Sequence, residues 1–283
     1  MARQIRISGG ELNIRLHPHH DDTYGEFIQR LYALRKTVRV RGDRHAIISL
    51  LDRSEADAGI YSGLITTFIR IDTDEPWFDV GELKEASDNK VSRVSIPEGL
   101  HPGAAFFNFI FNTRTHRLYF QTYSSGKTFS GNLARTLFER LSDDFGILQE
   151  FGEAKITIVQ SKAGLGAVFS LPVIKWVTIV LQKPNADIFD DDFDENVEQY
   201  LEELNSKKLT LVLEAEAGKS IDPKPQLRRV GESALDHGSV KVDGRDAQGA
   251  TSRSTEDFPR ELHEKYDPDQ ENEGQAFRRM TGQ

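Results

Sequence analysis

Apolar and polar positions alternate through "IRISGGELNIRL", with Ile5, Ile7, Leu12 and Ile14 as the apolar set. A period of two predicts a strand over residues 3–16, bulged at Gly9-Gly10. "HPHHDD" reads as a turn in which Asp21 or Asp22 caps a helix striped by Tyr24, Phe27, Ile28, Leu31 and Leu34. "TVRVRGDRHAIISLLD" predicts two strands about a Gly42-Asp43 turn, and "GIYSGLITTFIRID" a further one. Residues 73–103, rich in Asp, Gly and Pro, read as a connector with little regular structure. "AAFFNFIFNT" and "HRLYFQTYSS" predict a hairpin. Phe107, Phe109 and Phe111 share one face of its first strand and Phe106 and Ile110 the other, the pattern of a strand buried on both sides.

"SGNLARTLFERLSDDFGIL" predicts one amphipathic helix with Leu133, Leu137, Phe138 and Leu141 on its inner face. A strand at "AKITIVQ", a short helix around Leu165–Phe169, a strand at "VIKWVTIVLQ", an acidic helix over Phe193–Leu204 and a strand at "KLTLVLEAEA" follow. "QLRRVGESALDHG" reads as a helix stopped by Gly238, and "SVKVDGRDAQGATSRS" as a hairpin. The expected class is α+β (mixed α/β). Residues 1–150 form an antiparallel N-terminal sheet with helices, and residues 151–255 a C-terminal α/β domain built on a β-α-β-α-β layer. Residues 256–283, where apolar residues are sparse, form a polar extension expected to be loosely attached or disordered.

Charge changes the picture because it is uneven. The formal net charge of the 283 residues is −9, but residues 184–222 alone hold twelve acidic groups against three lysines, so the remainder is balanced. Residues 1–45 are basic, and "RKTVRVRGDRH" gathers five of their arginines and lysines into eleven residues. There is no cysteine, which removes disulfides, thiolate metal sites and cysteine nucleophiles and fits a reducing cytoplasm. No run of 18 apolar residues and no signal-peptide core occurs, so no membrane insertion is expected.

Four motifs bear chemistry. His17, His19, His20, Asp21 and Asp22 carry metal-binding side chains, but Pro18 forces a turn, and a strand end with a helix cap explains the same residues. "SSGKTFS" evokes a phosphate loop but has Gln121 where that loop needs glycine. It can still place Lys127 near a helix N-terminus that receives an anion. Glu153 and Lys155 open a strand in the Glu-x-Lys pattern of metal-dependent nucleases, with Asp143 and Asp144 falling in the predicted helix. In the basic stretch, extended backbone points Val38 and Val40 one way and Arg39 and Arg41 the other. Adjacent like charges on one strand face repel, so they call for carboxylates, which the acidic helix could supply, or phosphates.

"LNIRLHP", "LRKTVRVRGDRHAIISLLD", "PWFD", "HRLYFQTYSSGKTFS" and "FGEAKITIVQSK" together resemble an uncharacterised bacterial family carried by mobile elements and defence loci, over Ile5 to about Asp267. The second half is remotely similar to the RexA phage-exclusion protein and to KwaB of the Kiwa anti-phage system. That likeness runs through a Gly-Glu-led strand, a strand ending "VLQKPN" and one closing "EAEAG". The resemblance implies a homo-oligomeric anti-phage protein that binds DNA with little sequence preference. The expected ligand is double-stranded DNA, held at its phosphates by Arg35, Arg39, Arg41, Arg44, Arg114, Arg117 and Lys127, with a partner defence protein downstream. No catalytic residue, metal or cofactor is assigned. The alternatives are a metal-dependent nuclease using Glu153 and Lys155 or His17 to Asp22, and a sensor that binds a phage protein through the acidic helix.

Overall fold

The N-terminal alternation builds β1 (Ile5–His17), the strand on which the rest of the molecule is organised. A computed structural model describes residues 4–17, 23–182, 199, 201 and 203–283. After α1 (Thr23–Ala33), the strands β2 (Val38–Arg41), β3 (Arg44–Glu55) and β4 (Ile60–Ile69) form an antiparallel meander. The connector carries only the pair β5 (Phe78–Asp79) and β6 (Lys84–Glu85) and one turn of helix, α2 (Asp88–Val91). The aromatic hairpin is β7 (Ala105–Asn112) and β8 (Arg117–Gln121), and a smaller one, β9 (Tyr123–Ser124) and β10 (Lys127–Thr128), follows it. Then come α3 (Gly131–Ser142), α4 (Phe145–Phe151), β11 (Glu153–Ile158), α5 (Lys162–Val168), β12 (Val173–Gln182) and β13 (Lys208–Glu214). The chain ends with α6 (Pro225–His237), β14 (Gly238–Asp246), β15 (Gly249–Ser254), β16 (Glu261–Tyr266) and α7 (Glu273–Thr281).

The class is α+β, as expected. The larger sheet runs β11-β1-β8-β7-β4-β3-β2, all antiparallel. β1 is long enough to take two neighbours along one edge, β16 against Ile5–Gly10 and β11 against Leu12–His17. Helices α1, α3 and α4 bury one face of this sheet over Leu12, Ile14, Phe107, Phe109 and Phe111. Each fully buried phenylalanine there contributes about 1.5–3 kcal/mol of transfer free energy. The smaller sheet, β13-β12-β14-β15, packs α5 and α6 over Val177, Ile179, Val240 and Val242. Among the described residues no helix is long and apolar enough to cross a membrane.

Several expectations change. The single helix predicted over 130–148 is two: α3 ends at its C-cap Asp143, and Asp144 caps α4 by accepting from the Gly146 N–H. β11 does not join the smaller sheet but pairs with β1. β7 is buried on both faces only at its second end: Ile110 is covered, while Phe106 is 56% exposed. Residues 256–283 are structured: β16 pairs with β1, and α7, fastened by an Asn272–Gln275 capping box, seats Ala276 and Phe277 on Ile7, Ile60 and Ile110. A helix laid on a sheet by one narrow stripe needs few apolar residues, so sparse hydrophobicity did not mean disorder. The helix α6 does end at Gly238, as expected, but that glycine is not in the left-handed region. It is extended and opens β14, where a Cβ would sit 1.7 Å from the Val180 carbonyl oxygen. Most of the acidic helix predicted over 193–204 lies outside the described residues.

Candidate nucleic-acid interface

β2 is the last strand of the larger sheet, and its alternation holds: Val38 and Val40 are buried while Arg39 and Arg41 face solvent. Gly42, at φ +50°, allows the tight turn that brings Arg44 opposite Arg41. Arg44 Nη1 donates to the Thr128 carbonyl at 3.0 Å, tying the start of β3 to the β9–β10 hairpin beside Lys127. Arg140, from the last turn of α3, donates to the Arg39 carbonyl, and Arg39 Nε donates to the Gly42 carbonyl. These guanidinium heads are positioned by backbone carbonyls, which orient them without cancelling their charge. The carboxylate found near them among the described residues is Asp43, 3.7 Å from Arg39, with both side chains exposed. Such a pair is screened by water and offsets little.

The other three predicted residues lie elsewhere. Arg35 stacks over the Tyr32 ring at 4.1 Å and lines a separate cavity of about 500 Å³ with Arg30 and Arg53. Arg114 sits in the β7–β8 turn, reaching the Asp57 carbonyl. That turn is beside Glu55 and Ile60, at the opposite end of the twelve-residue β3 from Arg44. At ~3.3 Å per residue the separation is about 36 Å. Arg117 is inside: its side chain is 13% exposed and ion-pairs with Glu11 and with Asp236.

Arg117 belongs to a polar layer between β1 and α6. Glu11, Asn13 and Arg15 alternate with the core residues Leu12, Ile14 and Leu16, and all three are buried. Asn13 Nδ2 donates to the Asp236 carbonyl at 3.1 Å and lies 3.2 Å from His237 Nδ1, which accepts when the neutral ring carries its proton on Nε2. Arg15 Nη2 donates to Gln182 Oε1 at 3.2 Å, and burial pushes its guanidinium down to about 10. Burial raises the Glu11 carboxyl, against the lowering influence of Arg117 and Arg260. His237 is lowered to about 3, first by burial and then by Arg15.

This predicts a pH effect. Because the folded His237 pKa lies below the unfolded value near 6.5, the neutral ring stabilises the fold above that pH. The contribution is lost as pH falls toward 3, at up to about 1.4 kcal/mol per unit. Glu11 acts oppositely, since a raised carboxyl favours the fold as pH falls and loses that contribution as pH rises through its folded value. In urea denaturation, wild type is expected to lose more stability than His237→Gln between about pH 7 and about pH 5. Equal losses would contradict this assignment.

The remaining motifs resolve differently. Of "HPHHDD" only His17 is described, pairing in register with Glu153, and the rest lies outside the described residues. "SSGKTFS" folds as the β9–β10 hairpin, turning at Ser125 and Gly126, both at positive φ. Glu153 and Lys155 line, with Asp143, a polar cavity of about 610 Å³ between α3, β11 and the smaller sheet. Glu153 is held there by Lys155 and Lys207, each at 3.3 Å. Among the described residues no three His, Asp or Glu side chains converge to hold a metal ion. The buried Glu11–Arg117–Asp236 layer escaped sequence reasoning, since polar alternation in β1 equally describes a wet strand face.

A family model described as a domain of unknown function, DUF4747, matches residues 5–282, and the chain belongs to that family. No curated protein matches it significantly.

Proposed function

We propose that this member of the family binds DNA through its phosphates at the open β2 edge, without strong sequence preference. The contacts are Arg39, Arg41, Arg44, Lys127 and Arg140. The observation that carries the reading is that arginines from β2, β3 and α3 converge on one edge and are oriented by backbone carbonyls. A guanidinium held by a neutral acceptor keeps its charge and its remaining N–H groups for a phosphate fork. Arg35 and Arg114 lie apart from this strip, and Arg117 is taken up by Glu11 and Asp236 between β1 and α6, so they are left out of the contact set. A role in phage defence in the cytoplasm is part of this proposal and rests on the resemblance to RexA and KwaB alone, and a homo-oligomer would join two strips into one longer track. The binding itself involves no bond-breaking step.

The test is DNA binding by the Arg39→Glu, Arg41→Glu double variant. Both side chains are exposed, so the fold should tolerate the change. Fluorescence anisotropy with a duplex of arbitrary sequence should show affinity falling at least tenfold, with the salt dependence shallower by about two contacts. An unchanged Kd would remove the strip from consideration.

A further inference from the structure

The cationic strip ends at a cavity. Thr128, whose carbonyl receives Arg44, also lines a concavity of about 510 Å³ between the N-terminal end of α3 and the strands β1, β8 and β16. Its wall combines Phe120, Ile158 and Pro259 with the hydroxyl-bearing Thr122, Thr128 and Ser130. Tyr123, a residue 50% exposed, also lines it, on the same small hairpin as Lys127. The volume falls within the range of small-ligand sites, roughly 300–1,000 Å³.

Two features of that wall and one beside it select the same kind of ligand. An exposed tyrosine face offers a stacking surface to a flat ring of any identity. Hydroxyls both donate and accept, so they satisfy the edge groups of different rings without choosing among them. The neighbouring Arg44 and Lys127 supply cations where the ring's backbone would pass. A paired and stacked base cannot reach such a concavity, whereas an unpaired one enters at little cost.

We propose that the cavity accepts a single unpaired nucleotide of the strand whose phosphates lie on the strip, so that the protein favours DNA interrupted by a gap or an unpaired stretch over intact duplex. This rests on the reading of the strip given above and adds the substrate class. The base stacks on Tyr123, and its edge meets the threonine and serine hydroxyls. Since stacking is indifferent to base identity, the preference is for structure rather than sequence.

The test compares two duplexes of identical sequence, one intact and one with a short single-stranded gap, binding the full-length chain in anisotropy titrations. Wild type should bind the gapped duplex about tenfold more tightly, a typical effect of one stacked base. Tyr123→Ala should abolish the difference while leaving the intact duplex bound as before, and Tyr123→Phe should preserve it. Equal affinity of wild type for the two duplexes, or a preference that survives in Tyr123→Ala, would overturn the inference and leave the strip standing. Failure to bind either duplex would overturn both.

Discussion

Replacing Arg117 with leucine is expected to lower folding stability by about 3–5 kcal/mol and to leave DNA affinity per folded molecule unchanged. The side chain bridges the two layers. Its Nε is 3.6 Å from Glu11 on β1 and its Nη2 3.1 Å from Asp236 on α6. Glu11 is 2% exposed and already raised by burial, so its charge is tolerated only because Arg117 and Arg260 stand beside it. Leucine would leave that carboxylate with Arg260 alone, at 3.4 Å. Removing one partner of a buried pair costs more than the pair itself contributed, because the desolvated charge stays behind. Lysine should recover part of the loss, since it restores charge without the fork that reaches both carboxylates. Urea denaturation reads the stability change and anisotropy the affinity. A variant as stable as wild type with weakened DNA binding would place Arg117 in the interface after all.

Arg117 also shows where a sequence stops being informative. In "NTRTHRLYF" it stands three residues after Arg114, and both were expected, with Lys127, to be surface cations. Nothing local distinguishes a basic residue that meets phosphate from one that meets a carboxylate more than a hundred residues distant. The partner, Asp236, comes from a helix whose docking against β1 depends on the whole second half of the chain. Local periodicity served better where an element carries a single apolar face. β1, α1 and the β2–β3 turn lie where alternation places them, because each has one apolar face, although β1 runs through Gly9-Gly10 without the expected bulge and the expected Asp21 or Asp22 cap lies outside the described residues.

The tail failed for the opposite reason. Phe277 and Ala276 are enough to seat α7, but a stripe that narrow is lost among Glu, Arg and Gln. The separation of β11 from the strands that follow it could not be read either, since pairing partners in an antiparallel sheet carry no mark of their neighbour's identity. In the candidate interface, Arg39, Arg41 and Arg44 were legible from alternation about a glycine turn. Their tie to the hairpin through Thr128, and the arrival of Arg140 from α3, required the tertiary fold.

The central claim is that a cluster of uncancelled cations at the β2 edge engages phosphates, and the salt dependence of DNA affinity tests it most directly. Each phosphate neutralised releases counterions, so log Kd rises with log salt at about 0.9 per contact. Arg39, Arg41, Arg44, Lys127 and Arg140 therefore predict a slope of about 4.5, or affinity falling roughly 500-fold between about 50 and about 200 mM monovalent salt. A slope near that value for wild type, reduced by about two in the Arg39→Glu, Arg41→Glu variant, is the predicted result. Affinity that is insensitive to salt, or a steep slope that the double variant leaves intact, would contradict the assignment of this edge as the surface that meets DNA.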